Sequence, residues 1–306
     1  MKVNATIPTT LLLAIILLAG FGFLFPKNGE KYLAESFWAH KTHLSSQSNV
    51  VLLGDSRVYR GVSPQVMQRH LPEFKILNFG YSNGGLNPTM FRAAEEKLAS
   101  KGQPRIIVLG ISANTLTAYT QNNDQYLQEL NRPREEVIER LYFSPVKYWF
   151  SPVSPESLKA WLFEAPPTAY YKNEYQSNGY VRSEKFPADT MEAIPSYVKD
   201  FTHFKVSDEK LQALCNQTRD WTDSGIRVVG FRPPVSHSMR LLEDTLGLYN
   251  ENEIKARLVE AGGLWFELNP TRFQTYDGSH LTESSAIKLS EQLGAFLSQL
   301  QSKAEP

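Results

Sequence analysis

Val50-Val51-Leu52-Leu53-Gly54-Asp55-Ser56-Arg57 is the stretch from which the rest of the chain can be read. Four apolar residues in a row, without alternation, read as a short strand buried on both faces. Gly54 closes it. Asp55 and Ser56 then fall where a parallel strand delivers side chains to the carboxyl edge of its sheet. Three further stretches share the pattern: Lys75–Asn78, Ile106–Gly110 and Arg227–Phe231. Each is short, rich in Val, Ile or Leu, and closed by Gly, Asn or Pro.

Helix signals lie between these strands. Ser63-Pro64 caps and starts a helix over Gln65–His70, and Asn87-Pro88 does the same for Thr89–Ser100, which stops at Gly102. Ser207 precedes a helical run from Asp208 to Asp223 that stops at Gly225, and Thr282 caps a last helix, Glu283–Leu300. Strands alternating with helices predict an α/β fold, a parallel sheet with helices on both faces. Residues 115–200 break the rhythm and read as an insertion between the third and fourth strands. They carry Pro145, Pro152, Pro155, Pro166, Pro167, Trp149, Trp161, Tyr170, Tyr171, Tyr175 and Tyr180. These aromatics either stack on sugar rings or pack a small core of their own.

The 306 residues are 42% hydrophobic and 21% charged, which suits one large domain or a domain with an elaborate insertion. Lys plus Arg and Asp plus Glu are equal at 32 each, so no basic field exists for nucleic acid. Cys215 is the single cysteine, which excludes an internal disulfide and a cysteine-built zinc site. His40 and His43 have a helix-face spacing but no third ligand near in sequence, so no metal is expected, and no cofactor either.

The N-terminus carries an apolar run from Ile7 to Phe25 behind Lys2. It is just long enough to span a bilayer. Phe21, Phe23 and Phe25 follow the nearest small residues, so the run reads as an uncleaved signal anchor rather than a cleaved signal peptide. Residues 1–26 are then a transmembrane anchor, 27–48 a polar connector with a short helix at Lys31–His40, and 49–306 the α/β domain. Lys27 and Lys31 flank the far end of the run, so charge hardly chooses its orientation.

Near the other end of the chain stands Asp277-Gly278-Ser279-His280, just ahead of the last helix. A serine hydroxyl is a poor nucleophile at neutral pH and needs a base beside it. His280 suits that role, because its unperturbed pKa lies near neutrality. Asp277, three residues earlier, can take the other ring nitrogen and fix the tautomer. Only folding can bring Ser56 to this pair.

These motifs resemble the SGNH, or GDSL-like, hydrolase family over Val50 to Leu300. Gly54-Asp55-Ser56 resembles the first block, with Ser56 as nucleophile, and Asp277-Gly278-Ser279-His280 the last. Asn78-Phe79-Gly80-Tyr81-Ser82-Asn83-Gly84 and Leu109-Gly110-Ile111-Ser112-Ala113-Asn114 occupy the places of the second and third blocks. The resemblance implies a flavodoxin-like sheet and an oxyanion site. A backbone amide from Asn83 or Gly84 would serve as one donor. Ser112 stands where an asparagine side chain is expected, and Asn114 lies two residues on. With the N-terminal anchor, the altered middle blocks resemble the cell-envelope branch, DltD-like and alginate-acetylation-like proteins. That implies an extracytoplasmic esterase or O-acyltransferase acting on an acylated glycan or small acyl ester, with a membrane-bound O-acyltransferase as partner. The alternative is a weakly catalytic binding module that docks to such an enzyme or to a polymer synthase. Arg57 and Arg232 both fall at the carboxyl edge of the sheet. Each can hold an anionic or carbonyl group, or form an ordinary salt bridge. Asp55 reads as structural.

Overall fold

The computed structural model describes residues 6–24, 29–122, 125–151, 155, 159, 162–163 and 169–302. Lys2, Phe25, Lys27, Pro152, Trp161, Pro166 and Pro167 lie outside the described residues. Seven strands occur among the described residues: β1 (Val50–Leu53), β2 (Ile76–Asn78), β3 (Ile106–Gly110), β4 (Tyr170–Tyr175), β5 (Val181–Phe186), β6 (Arg227–Phe231) and β7 (Leu264–Trp265). Five form a sheet in the order β2-β1-β3-β6-β7, every pair parallel. Numbered by their own sequence, these strands run 2-1-3-4-5, the flavodoxin-like doubly wound order. The other two form an antiparallel hairpin.

Strand burial explains the apolar runs. Every residue of β1 and β3 is buried. Val50, Leu52, Ile106, Val108, Val229 and Phe231 share a core with Val58, Met67, Leu289, Leu293 and Leu297. The last helix, Glu283–Ser302, thus lies over that face. Val51, Leu53, Ile107 and Leu109 point the other way by strand alternation. There, helices Pro88–Lys97 and Asp208–Asp223 reach β1 and β6. Phe91 and Trp221 join those two helices edge to face at 5.3 Å.

Several boundaries shift for local reasons. The helix expected to reach Ser100 stops at Lys97, because Leu98 turns extended and Ala99 N–H donates to Ser48 O (2.8 Å). The helix expected over Gln65–His70 is the single turn Pro64–Met67. The connector helix runs from Glu30 to His43. Within the expected insertion, β4 and β5 turn around Gln176–Tyr180, where Gly179 takes φ +86°. Tyr180 is buried, whereas Tyr170 and Tyr171 remain exposed.

The chain divides into two compact units: residues 1–42 with 131–168, and residues 43–130 with 169–306. The first includes helices Thr6–Leu24, Arg134–Ile138 and Ser144–Trp149, and the Ser144 hydroxyl donates to Glu35 Oε2 (3.1 Å). Side chains of the Thr6–Leu24 helix are described at 8–17 and 20. Among the described residues no helix is long and apolar enough to cross a membrane, so the anchor stays an expectation of the sequence. The second unit contains both sheets and the candidate site.

Candidate active site

Ser56 opens a short helix, Ser56–Gly61, directly off the carboxyl end of β1. Gly54 makes the turn possible with φ +149°; a Cβ there would meet Val58 Cγ2 at 2.4 Å and Gly110 O at 2.9 Å. Asp55 caps the helix by accepting from Arg57 N–H at 2.9 Å. Its second carboxylate oxygen accepts from the Ser112 hydroxyl at 2.6 Å. Asp55 is therefore fully engaged in joining the β1 and β3 loops.

The partner loop is built as tightly. Thr275 and Leu281 pair across it, and Gly278 sits at φ +92°, where a Cβ would run into Thr190 O. Asp277 Oδ1 accepts from the backbone N–H groups of Ser279 (2.8 Å) and His280 (2.7 Å). Its Oδ2 lies 2.6 Å from His280 Nδ1. His280 Nε2 lies 2.8 Å from Ser56 Oγ, across 224 positions of sequence. Ser56, His280 and Asp277 thus form one hydrogen-bonded chain. The imidazole and carboxylate keep 13% and 14% of their side-chain surface, so a small group can reach them.

Electrostatics tune both ionisable members. Burial pushes the Asp277 carboxyl up, but the His280 ring and the two backbone donors outweigh it and hold its pKa below the ordinary value. Burial also dominates at His280, lowering its pKa; Asp277 opposes this, while Arg60 and Arg57 add to it. The imidazole is therefore neutral near pH 7 and free to accept a proton.

The four expected donors divide. Asn83 takes a left-handed backbone, φ +52°, and its N–H has no hydrogen-bond partner among the described residues. Gly84 N–H donates to Tyr81 O (3.0 Å) and is occupied. The Ser112 hydroxyl is occupied by Asp55. Asn114 opens a 3-10 turn, and its side-chain amide makes no hydrogen bond among the described residues. Ser56 N–H, at the first position of its helix, is a further orphan donor.

The two arginines point into the protein. Arg57 Nη1 pairs with Glu243 Oε1, and Arg57 Nε donates to Ser279 Oγ at 3.0 Å. Arg232 Nη2 pairs with Glu243 Oε2 at 2.9 Å and with Asp244 at 2.7 Å. Both guanidiniums also lie over tyrosine rings, Arg57 over Tyr197 at 5.1 Å and Arg232 over Tyr249 at 4.4 Å. Tyr197 OH shares Ser279 Oγ with Arg57 (3.0 Å). Of the two readings left open by the sequence, these contacts are the salt bridge. They also link the residue after Ser56 to the residue before His280. Sequence reasoning did not find Glu243, which lies in a helix, His237–Thr245, that it did not expect. Nor did it find Arg60, on the next turn from Ser56, or Tyr276, whose ring stacks on His280 at 5.7 Å. The i,i+4 spacing of Ser56 and Arg60 was the available signal.

The two histidines weighed as metal ligands have other partners. A ring nitrogen of His40 lies 2.7 Å from Ser36 O, and His43 Nε2 lies 3.1 Å from Glu129 O.

No family model matches the chain, and no curated protein matches it. Among solved structures, a Streptococcus pneumonia chain provisionally described as a platelet activating factor is similar at 14% identity, covering 96% of this chain and 100% of its own, with a TM-score of 0.36. A likeness at that level says nothing about what this chain does.

Proposed function

We propose that this chain is an SGNH-type serine esterase or O-acyltransferase that acts on acyl esters, with acylated glycans as its substrate class. The observation that carries the reading is the unbroken chain from Ser56 Oγ through His280 to Asp277. Ser56 Oγ attacks the acyl carbonyl carbon while its proton passes to His280 Nε2. The carbonyl oxygen becomes an oxyanion, for which Ser56 N–H, Asn83 N–H and the Asn114 amide are the donors with no competing partner. The tetrahedral centre collapses, the ester oxygen leaves with the proton from His280, and an acyl-serine remains. Water then yields a hydrolase, and a sugar hydroxyl yields a transferase. Extracytoplasmic placement belongs to the same proposal and rests on the apolar run Ile7–Phe25. So does a membrane-bound O-acyltransferase as partner.

A fluorophosphonate probe tests the reading directly. Wild-type protein should label at Ser56, and labelling should vanish in Ser56→Ala and His280→Ala. Folded wild type that stays unlabelled while a serine-hydrolase control reacts would reject it and favour the binding-module alternative. The occupied Ser112 hydroxyl and Gly84 N–H are the features that favour that alternative.

The pH profile gives a second check. Only neutral His280 can take the serine proton, so kcat/KM should rise with pH and level off once the imidazole has lost its proton. Because the His280 pKa is lowered, the midpoint of this rise should fall below the ordinary imidazole value of 6.5. Arg60→Gln removes a cation that disfavours the imidazolium and should move the midpoint upward. A midpoint above 6.5 in the wild type, or a downward move in the variant, contradicts this account.

A further inference from the structure

Ser279 is the least conspicuous polar residue of Asp277-Gly278-Ser279-His280, yet it is fully buried and its hydroxyl meets two side chains from other parts of the chain. Its Oγ accepts the Nε–H of Arg57 and lies against the Tyr197 hydroxyl, both at 3.0 Å. Ser279 precedes His280 and Arg57 follows Ser56. The bond between them therefore joins the same two segments as the 2.8 Å contact from His280 Nε2 to Ser56 Oγ. Arg60 Nη1, which donates to Tyr276 OH at 3.0 Å, is another tie across that gap.

Tyr197 belongs to neither segment. It comes from the helix Ile194–His203, inside the insertion expected from the sequence. The stretch leading into that helix also grips the histidine loop by its backbone: Asp189 N–H donates to Tyr276 O (2.8 Å) and Ala193 N–H to Asp277 O (3.0 Å). Phe201, fully buried, seats the helix and meets the Tyr197 ring at 5.8 Å. The helix packs on His237–Thr245, which carries Glu243, and Glu243 holds Arg57 by Nη1. Both partners of the Ser279 hydroxyl are thus fixed from behind. Burial pushes the Tyr197 phenol up, so it keeps its proton near neutral pH.

A base must stand about 2.6–3.2 Å from the group whose proton it takes, and a displacement of about 1 Å can cost about 10²-fold in rate. Apolar contact is non-directional and cannot by itself fix that distance, whereas hydrogen bonds have preferred lengths and angles. A buried ion pair is a poor source of net stability, since apolar groups of the same volume often do as well; directing the Arg57 Nε–H at one oxygen is a use that apolar groups cannot serve. We propose that Ser279, Arg57 and Tyr197 are positioning residues: the Ser279 hydroxyl, held between the Arg57 Nε–H and the Tyr197 hydroxyl, keeps the His280 ring in register with Ser56, which makes the Ile194–His203 helix of the insertion a working part of the site. The effect on rate rests on the esterase reading; the effect on the His280–Ser56 contact does not.

The test uses the full chain. With an activated acetyl ester, Ser279→Ala should lower kcat by about tenfold to a hundredfold and leave KM within about twofold, as a misplaced base does. Tyr197→Phe removes one hydroxyl from a half-buried ring, a change the fold should bear, and its loss should be smaller, about three- to tenfold. Both act through one oxygen, so the double variant should lose no more than Ser279→Ala alone. A readout free of turnover is the nitrogen NMR signal of His280 Nε2, assigned by its disappearance in His280→Ala. Ser56→Ala shows how far that signal moves when the hydrogen bond is lost. Ser279→Ala and Tyr197→Phe should move it the same way, by part of that amount. An unchanged kcat with an unmoved signal overturns the proposal, and so do losses that multiply in the double variant or that fall on KM. If Ser279→Ala does not fold, Tyr197→Phe decides by the same two measurements. A wild type that neither labels with fluorophosphonate nor turns over refutes the esterase, and the nitrogen signal then still tests whether Ser279 and Tyr197 hold the imidazole in place.

Discussion

Ser56→Ala should lower kcat/KM for an activated acetyl ester by about 10⁴–10⁶-fold, with His280→Ala close behind. The expectation follows from the dependence of one group on the next. Without the hydroxyl no acyl-serine can form, and without the imidazole the hydroxyl keeps its proton. Asp277→Asn is the most informative of the three. An amide in its place can present its NH₂ to His280 Nδ1, which stabilises the wrong tautomer, so a loss of about 10⁴-fold is expected with the fold intact. Asp277 also holds two backbone N–H groups through Oδ1, so circular dichroism and melting temperature should accompany the kinetics. A loss under tenfold in any of the three folded variants would remove these residues from the chemistry.

Glu243→Ala should cost more stability than any surface change. The carboxylate is wholly buried between two buried guanidiniums, Arg57 and Arg232. Truncation strands Arg57 and takes from Arg232 its buried partner, leaving it Asp244 and Glu251, and breaking a buried pair in this way costs about 3–5 kcal/mol. Against a typical total of about 5–15 kcal/mol, that is a large share, and the melting temperature should fall by roughly 10 °C. Glu243→Gln should fall less far, since it keeps polar partners but loses the charge. Burial would raise the Glu243 pKa, yet the two guanidiniums hold it below the ordinary 4.5. Its ionisation therefore stabilises the fold fully above that value, and the stabilisation is lost only as pH falls through the lower folded pKa. Wild type should lose this part of its stability in acid, and Glu243→Ala should not show the same loss. Melting temperatures within about 2 °C of each other would show that the cluster is not a structural keystone.

What the sequence discloses here is local, and what it conceals is long-range. Asn87 and Ser63 are legible as helix caps from residue type alone, and their side chains accept from Met90 N–H at 3.1 Å and Val66 N–H at 3.4 Å. The apolar strands β1 and β3 were legible because both faces are covered, leaving no polar position to blur the run. β7 was not, because two residues, one of them exposed, carry no period. The β4–β5 hairpin is largely exposed and polar, so hydrophobicity was silent; Asn178-Gly179 was the one clue, a dipeptide suited to tight turns. At the site, Ser56, Asp277 and His280 stood out because their chemistry is encoded in short motifs. Arg57 and Arg232 stood out only by position. Their common partner Glu243 lies 186 residues from Arg57, beyond any motif. Arg60 carries one local signal, its i,i+4 spacing from Ser56, whereas its bond to Tyr276 OH spans 216 residues and is set by packing.

The bond from Arg57 to Ser279 joins segments made 222 residues apart. A ribosome adding about 5–20 residues each second would expose Ser56 roughly 10–45 s before its base exists. During that interval the hydroxyl is an ordinary alcohol. On the proposed chemistry, a nascent polypeptide that stalls or ends before His280 cannot strip acyl groups from anything it meets, so reactivity switches on only once His280 has been made and folded against Ser56.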